Sequence, residues 1–306
     1  MTKKLNQVEN NESRKTFNFT KENNVETMDL ATLRKTYREE DPIYHKPLMG
    51  IHHFELIDRV GELLTRHNID FNIEEIFAAH NNDKYKPGVT IVPDLINKYG
   101  PNAIEAHCLR RVFTTIRIDE NEDKETNTGL AIAFHQNGVQ MGIGPNVKIC
   151  HNQCILSPDR YISNYGSEKV KDFDKMLLIV DDWLSNFAEQ REKDVSVLTT
   201  MKGIQLSYRQ VAELIGHLNY TRVGTDCGLI KEGKYPLNGG QINQFTENYL
   251  KEYYDLLKDI NDPNMSLYDI YNLATNMYKA NQTVIPNILP QNIAWTEMLI
   301  NNFGLR

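Results

Sequence analysis

Cationic side chains on an alternating run are the residues of this chain whose spacing best fits a chemistry. His107, Arg111, Thr115 and Arg117 fall on one side of a two-residue repeat, and Cys108, Val112, Ile116 and Ile118 on the other. The pattern predicts a strand with one apolar face and one cationic face. Arg111 and Arg117 stand about 20 Å apart along such a strand. Arg110, Lys148, Lys169, Lys171 and Lys175 are available to fill the interval. Guanidinium and ammonium groups on an open sheet face, flanked by aromatic rings, suit a single-stranded nucleic acid: charge meets its phosphates and flat faces meet its bases. Tyr161 and Tyr165 are candidates for stacking, and Phe134 for stacking or for the core. A solvated face crossed by local salt bridges is the alternative reading of the same residues.

Other chemical patterns fail on geometry. Cys150 and Cys154 share a face of a strand but lie about 13 Å apart, whereas two thiolates on one zinc must approach within about 4 Å. Asp119, Asn121 and Asp123 imitate the opening of a calcium loop, yet Lys124 and Leu130 occupy the positions that need glycine and a bidentate glutamate. Gly142-Ile143-Gly144-Pro145 lacks the third glycine of a dinucleotide fingerprint and reads as a turn. His52 and His53 precede a helical run with no second ligand at chelating spacing, and read as surface or capping histidines. Asp181 and Asp182 diverge by about 100° on a helix, so that pair alone makes no two-metal centre. The reading is therefore no catalytic residue, no metal and no cofactor, with acids that converge only in the fold left open.

The elements that must position these residues follow from periodicity. His53 to His67 carries Leu56, Ile57, Val60, Leu63 and Leu64 at helical spacing, and residues 69–73 alternate like a short strand. From 103 to 156 the period is two, and Asn137-Gly138 between alternating runs predicts a hairpin. Gly144-Pro145-Asn146 is expected to turn the chain into a further strand over 147–156. After Ser157-Pro158 the period becomes helical: a long helix over 169–191, then one around Val211–Leu218 capped by Ser207, and one around Phe245–Leu257. Ser266 with Asp269 forms a capping box for a fourth helix, and a short fifth is expected over 293–302. The C-terminal tyrosines Tyr249, Tyr253, Tyr254, Tyr268, Tyr271 and Tyr278 read as core edge, and residues 224–240 as a glycine-rich loop. The expected fold class is α+β: an antiparallel β-meander covered on one face by helices, with a helical C-terminal half. The expected divisions are a disordered arm over 1–40, an α+β region over 41–160 and a helical region over 161–306.

Composition bounds the function classes. Of 306 residues, 34 are basic and 41 acidic, a net charge of −7, so bulk charge does not suit a protein that coats nucleic acid. No apolar run approaches the roughly 20 residues of a membrane span, and no apolar stretch follows the N-terminal lysines, so a cytoplasmic protein is expected. Four cysteines are too few for a disulfide scaffold and agree with a reducing compartment.

Three stretches carry a resemblance. His53-Phe-Glu-Leu-Ile-Asp-Arg-Val60, the run from Gly138 through Gly144 to Cys150-His-Asn152-Gln-Cys154, and Ser266-Leu-Tyr-Asp-Ile-Tyr271-Asn272-Leu273 resemble segments of phage- and plasmid-borne proteins of unknown function found in mobile elements, including those of Bacteroides-type bacteria. Leu214-Ile215-Gly216 lies between the second and third. The likeness spans roughly residues 50 to 280. Many members carry a Ser-His-Asp cluster where Phe134-His135-Gln136-Asn137 stands here. The resemblance implies a nucleic-acid-associated accessory role in replication, recombination or transfer, and the outline of a meander backed by a long helix is similar to phage single-strand annealing proteins. The expectation is a non-enzymatic, homo-oligomeric protein that binds or anneals single-stranded DNA. A virion structural component and a metal-dependent nuclease or counter-defence hydrolase are the alternatives.

Overall fold

The computed structural model describes residues 25–36, 51–74, 76–80, 109–118, 126–135, 138–147, 152–153, 158–165, 171–230, 235–255, 258–278 and 287–305. Among them, β1 (Val25–Met28), β2 (Phe71–Ile73), β3 (Ile76–His80), β4 (Leu109–Ile118), β5 (Thr126–His135), β6 (Gly138–Val147), β7 (Asn152–Gln153) and β8 (Tyr161–Tyr165) form one antiparallel sheet. Its order runs β1-β3-β4-β5-β6-β7, with β2 also on β4 and β8 also on β6. A second, two-stranded ribbon joins β9 (Gln205–Ser207) to β10 (Pro263–Ser266). The helices are α1 (Leu30–Thr36), α2 (His53–Arg66), α3 (Lys171–Ser185), α4 (Phe187–Gly203), α5 (Tyr208–Asp226), α6 (Gly239–Glu252), α7 (Leu267–Thr275) and α8 (Ile288–Phe303). The fold is α+β with a helical C-terminal half, as the periodicity predicts.

Local chemistry explains the helix starts. The Ser207 hydroxyl accepts the Gln210 N–H at 3.3 Å while the Gln210 side chain accepts the Ser207 N–H at 2.9 Å, opening α5. Asn238 with Gln241 repeats the reciprocal pair before α6, and Ser266 with Asp269 before α7.

The meander centres on β4, β5 and β6, each ten residues long. Its register sets Thr115 opposite Ala131 and Ala131 opposite Gly142. Alternation then builds two cores. Val112, Ile116, Leu130, Ile132, Met141 and Ile143 point into a first core with α2 and α3. Phe113, Ala131 and Ala133 point into a second core with residues of α4 to α8. Helices thus pack against both faces of the central strands, and the expected uncovered face is overturned. Phe113 shares the face of Arg111 and Thr115, and Ala131, Ala133, Gly142 and Gly144 keep that face low enough for helices to close on it. Phe113 is 8% exposed and Thr115 6%.

Further corrections concern boundaries. Residues 25–36, expected within a disordered arm, form β1 and α1, and Leu33 is fully buried; residues 1–24 lie outside the described residues. Gly144-Pro145-Asn146 continues β6 instead of turning. On its outer side β6 pairs with β8 over 138–142 and with β7 at 146–147, so among the described residues no outer partner stands opposite Pro145, which lacks the N–H. The expected strand over 147–156 is described only at β7. The long helix breaks at Asn186 into α3 and α4. Gly224 lies inside α5, and Gly239 and Gly240 open α6, so the expected glycine loop is shorter at both ends.

Candidate nucleic-acid interface

The site proposed from sequence is divided by the sheet. Arg111 faces Ala79 on β3, and Arg117 sits between Asn72 on β2 and Gly129 on β5. Both arginines are half-buried, on the second-core side, and each has an interaction within the fold. Lys175 is exposed on α3, whose Phe173, Met176 and Val180 enter the first core. It therefore lies across the sheet from the two arginines. Arg110 belongs to β4 and Lys171 opens α3, with side chains outside the described set; Lys148 and Lys169 lie outside the described residues altogether. Of the aromatic candidates, Phe134 is core at 1% exposure, Tyr161 is half-buried against the second core, and the Tyr165 side chain is outside the described set.

One row of the sheet remains chemically distinctive. Arg117 pairs with Gly129, which pairs with Gly144. Across β4, β5 and β6 this row carries a single side chain, and it is a guanidinium. Both glycines are buried beneath the helical layer and Asn72 stands opposite Arg117 on β2, so the guanidinium can meet a phosphate only from its solvent-exposed side.

The strongest polar cluster was not legible in the sequence. Arg160, just before β8, clasps Asp194 in the middle of α4 through two contacts of 2.6 and 2.5 Å. Both are buried, at 7% and 4% exposure. Burial pushes the Asp194 carboxyl up from its ordinary range, and the facing Arg160 guanidinium pulls it back down. The Trp183 indole N–H donates to the Asp159 carbonyl at 3.2 Å beside it. The cavity they line with Thr128, Ile143 and Arg191 holds about 10 Å³, room for one water at most. This cluster ties α4 to the segment that leads into β8. The two charged residues are 34 positions apart and share no local signal.

Other titratable groups are structural too. His53, expected at the surface or as a cap, is buried at 4% and meets the Phe134 ring edge-on at 4.3 Å. Burial first, then the neighbouring His52, lowers its pKa to about 3. His67 pairs with Asp181 at 2.7 Å, joining α2 to α3, while Asp182 is exposed. An open groove of about 540 Å³ runs between α1, α2 and β2, with Arg34 and Asp58 ion-paired across it and Ile57, Phe71 and Ile73 beneath. Among the described residues, no group of three or more His, Cys, Asp or Glu side chains converges to hold a metal, and no helix is long and apolar enough to cross a membrane. Cys108, Cys150 and Cys154 and the acidic loop over 119–123 lie outside the described residues. No family model, curated protein or solved structure matches the chain.

Proposed function

We propose that this chain is a nucleic-acid-associated accessory protein of a phage or mobile element, acting by binding, and that single-stranded DNA is what it binds or anneals. The observation that supports the reading is the placement of Arg117: half-exposed, on the same strand face as Arg111, in a row whose other members on β5 and β6 are glycines. Because a packed helical layer covers the middle of that face, the strand is gripped at the rim of the sheet, where Arg111 and Arg117 emerge about 20 Å apart, and not laid across an open surface. Phosphate contacts supply the affinity, so binding weakens as salt rises.

Fluorescence anisotropy with a labelled single-stranded oligonucleotide, read across a salt series, tests this. Arg117→Ala and Arg111→Ala should each weaken binding, and each should flatten the logarithmic salt slope by about one contact. Lys175→Ala, across the sheet, should leave both unchanged. Binding that is absent, or that ignores both arginine substitutions, rejects the reading.

A further inference from the structure

Helix α5 turns an apolar strip away from the core. Val211, Leu214 and Leu218 are buried, whereas Ala212, Gly216, Tyr220 and Val223 are exposed, with exposed Cys227 just past the last turn. Steps of four, four, three and four residues keep these five on one line of the helix. Tyr220 is 72% exposed, and Leu229, just beyond the helix end, is 82% exposed. At Gly216 a Cβ would meet nothing within 4 Å. Glycine weakens a helix interior relative to alanine, and neither close packing nor a positive φ demands one at this position.

We propose that this face docks a second copy of the chain, its α5 antiparallel to the first, about a two-fold axis beside residues 217 and 218. Such an axis pairs each residue with the one equally far on its other side. Val223 then meets the partner's Ala212, and Tyr220 falls within one residue of the partner's Gly216, a large side chain against a small one each time. Exposed Arg209 at the start of α5 falls opposite the partner's Asp226 at its end. Asp226 already holds Arg222 at 3.0 Å, so the carboxylate is fixed on that turn. Leu229 reaches the first turn of the partner's helix, beside which lies Ile260, 51% exposed, its carbonyl accepting the Arg209 N–H at 2.9 Å. A parallel arrangement would instead set Tyr220 on the partner's Tyr220 and Arg209 on the partner's Arg209, stacking like charges. The antiparallel pair uses the glycine as a socket and matches the charges at both ends.

Sedimentation velocity over a concentration series reads the result. The full chain should pass from monomer to dimer as concentration rises. Gly216→Trp, which fills the socket, and Tyr220→Ala, which removes the ring, should each raise the concentration of half-dimerisation about tenfold or more. Leu178→Ser, at a 68% exposed position on α3, should leave it unchanged. Both strip positions face solvent in the monomer, so circular dichroism should show both variants folded. The register is tested by mixing Gly216→Cys protein with Tyr220→Cys protein, each also carrying Cys227→Ser. Oxidation should cross-link the mixture and neither protein alone. A monomer at every concentration, a dimer indifferent to both strip substitutions, or cross-linking within either protein alone overturns the proposal. The outcome is independent of whether oligonucleotide binds.

Discussion

The imidazole of His53 lies in the first core against Phe134, where burial and the adjacent His52 bring its pKa to about 3 from an ordinary 6.5. The sign of the consequence follows from proton uptake. Below about pH 6.5 the unfolded chain gains a proton that the folded chain refuses. Stability is therefore complete above that pH and falls by up to about 1.4 kcal/mol per unit as the pH drops toward 3. Denaturant titrations at pH 7 and pH 4.5 should show wild type losing more stability than His53→Leu, by up to about 3 kcal/mol. Equal losses in the two proteins would show that His53 is not held neutral. Its burial was in fact legible. His53 stands three and four residues before Leu56 and Ile57, on the same helical stripe, and the apolar company of that stripe outweighs the polar character of one side chain. Phe113 teaches the same lesson on β4, since its parity with Arg111 and Thr115 marks that face as destined for a core.

At the level of elements, the Arg160–Asp194 clasp holds α4 to the segment that leads into β8. A buried pair of this kind adds little over well-packed apolar residues, but losing one member strands a charge in the interior. Asp194→Ala should therefore cost about 3–5 kcal/mol in urea denaturation, and Asp194→Leu combined with Arg160→Met much less than the two single changes together. Single-substitution costs below about 1 kcal/mol would show that the clasp is not what fixes α4. Elements whose signal is local were readable beforehand: α2 from its stripe, α5 and α7 from their capping residues, and the β5–β6 hairpin from its alternation. Those that depend on distant partners were not. β1 is only four residues long, and is a strand because β3 offers it an edge. Gly144-Pro145 has the local chemistry of a turn, but the ladder to β5 carries it straight on. The candidate site is subject to the same cause: alternation sets Arg111 and Arg117 on one face of β4, while the helices that roof that face come from residues about a hundred positions later.

For the molecule as a whole, one sheet serves two separate interiors. Residues of α1, α2 and α3 close the first, and residues of the helices from α4 onward close the second, with β4 and β5 contributing alternate side chains to each. The β9–β10 ribbon belongs to the second interior alone, but both interiors are built on the same central strands, so they should melt together. The chain holds two tryptophans, and they stand on opposite sides of this partition: Trp183 in the first core and Trp295 in the second. Each indole is therefore a private fluorophore for one half of the fold. Emission from a Trp295→Phe protein should track the α3 side, and emission from a Trp183→Phe protein the α8 side, with a common urea midpoint once each variant's own stability offset is measured by circular dichroism. Two midpoints within either protein, one optical and one dichroic, would reveal halves that come apart in turn.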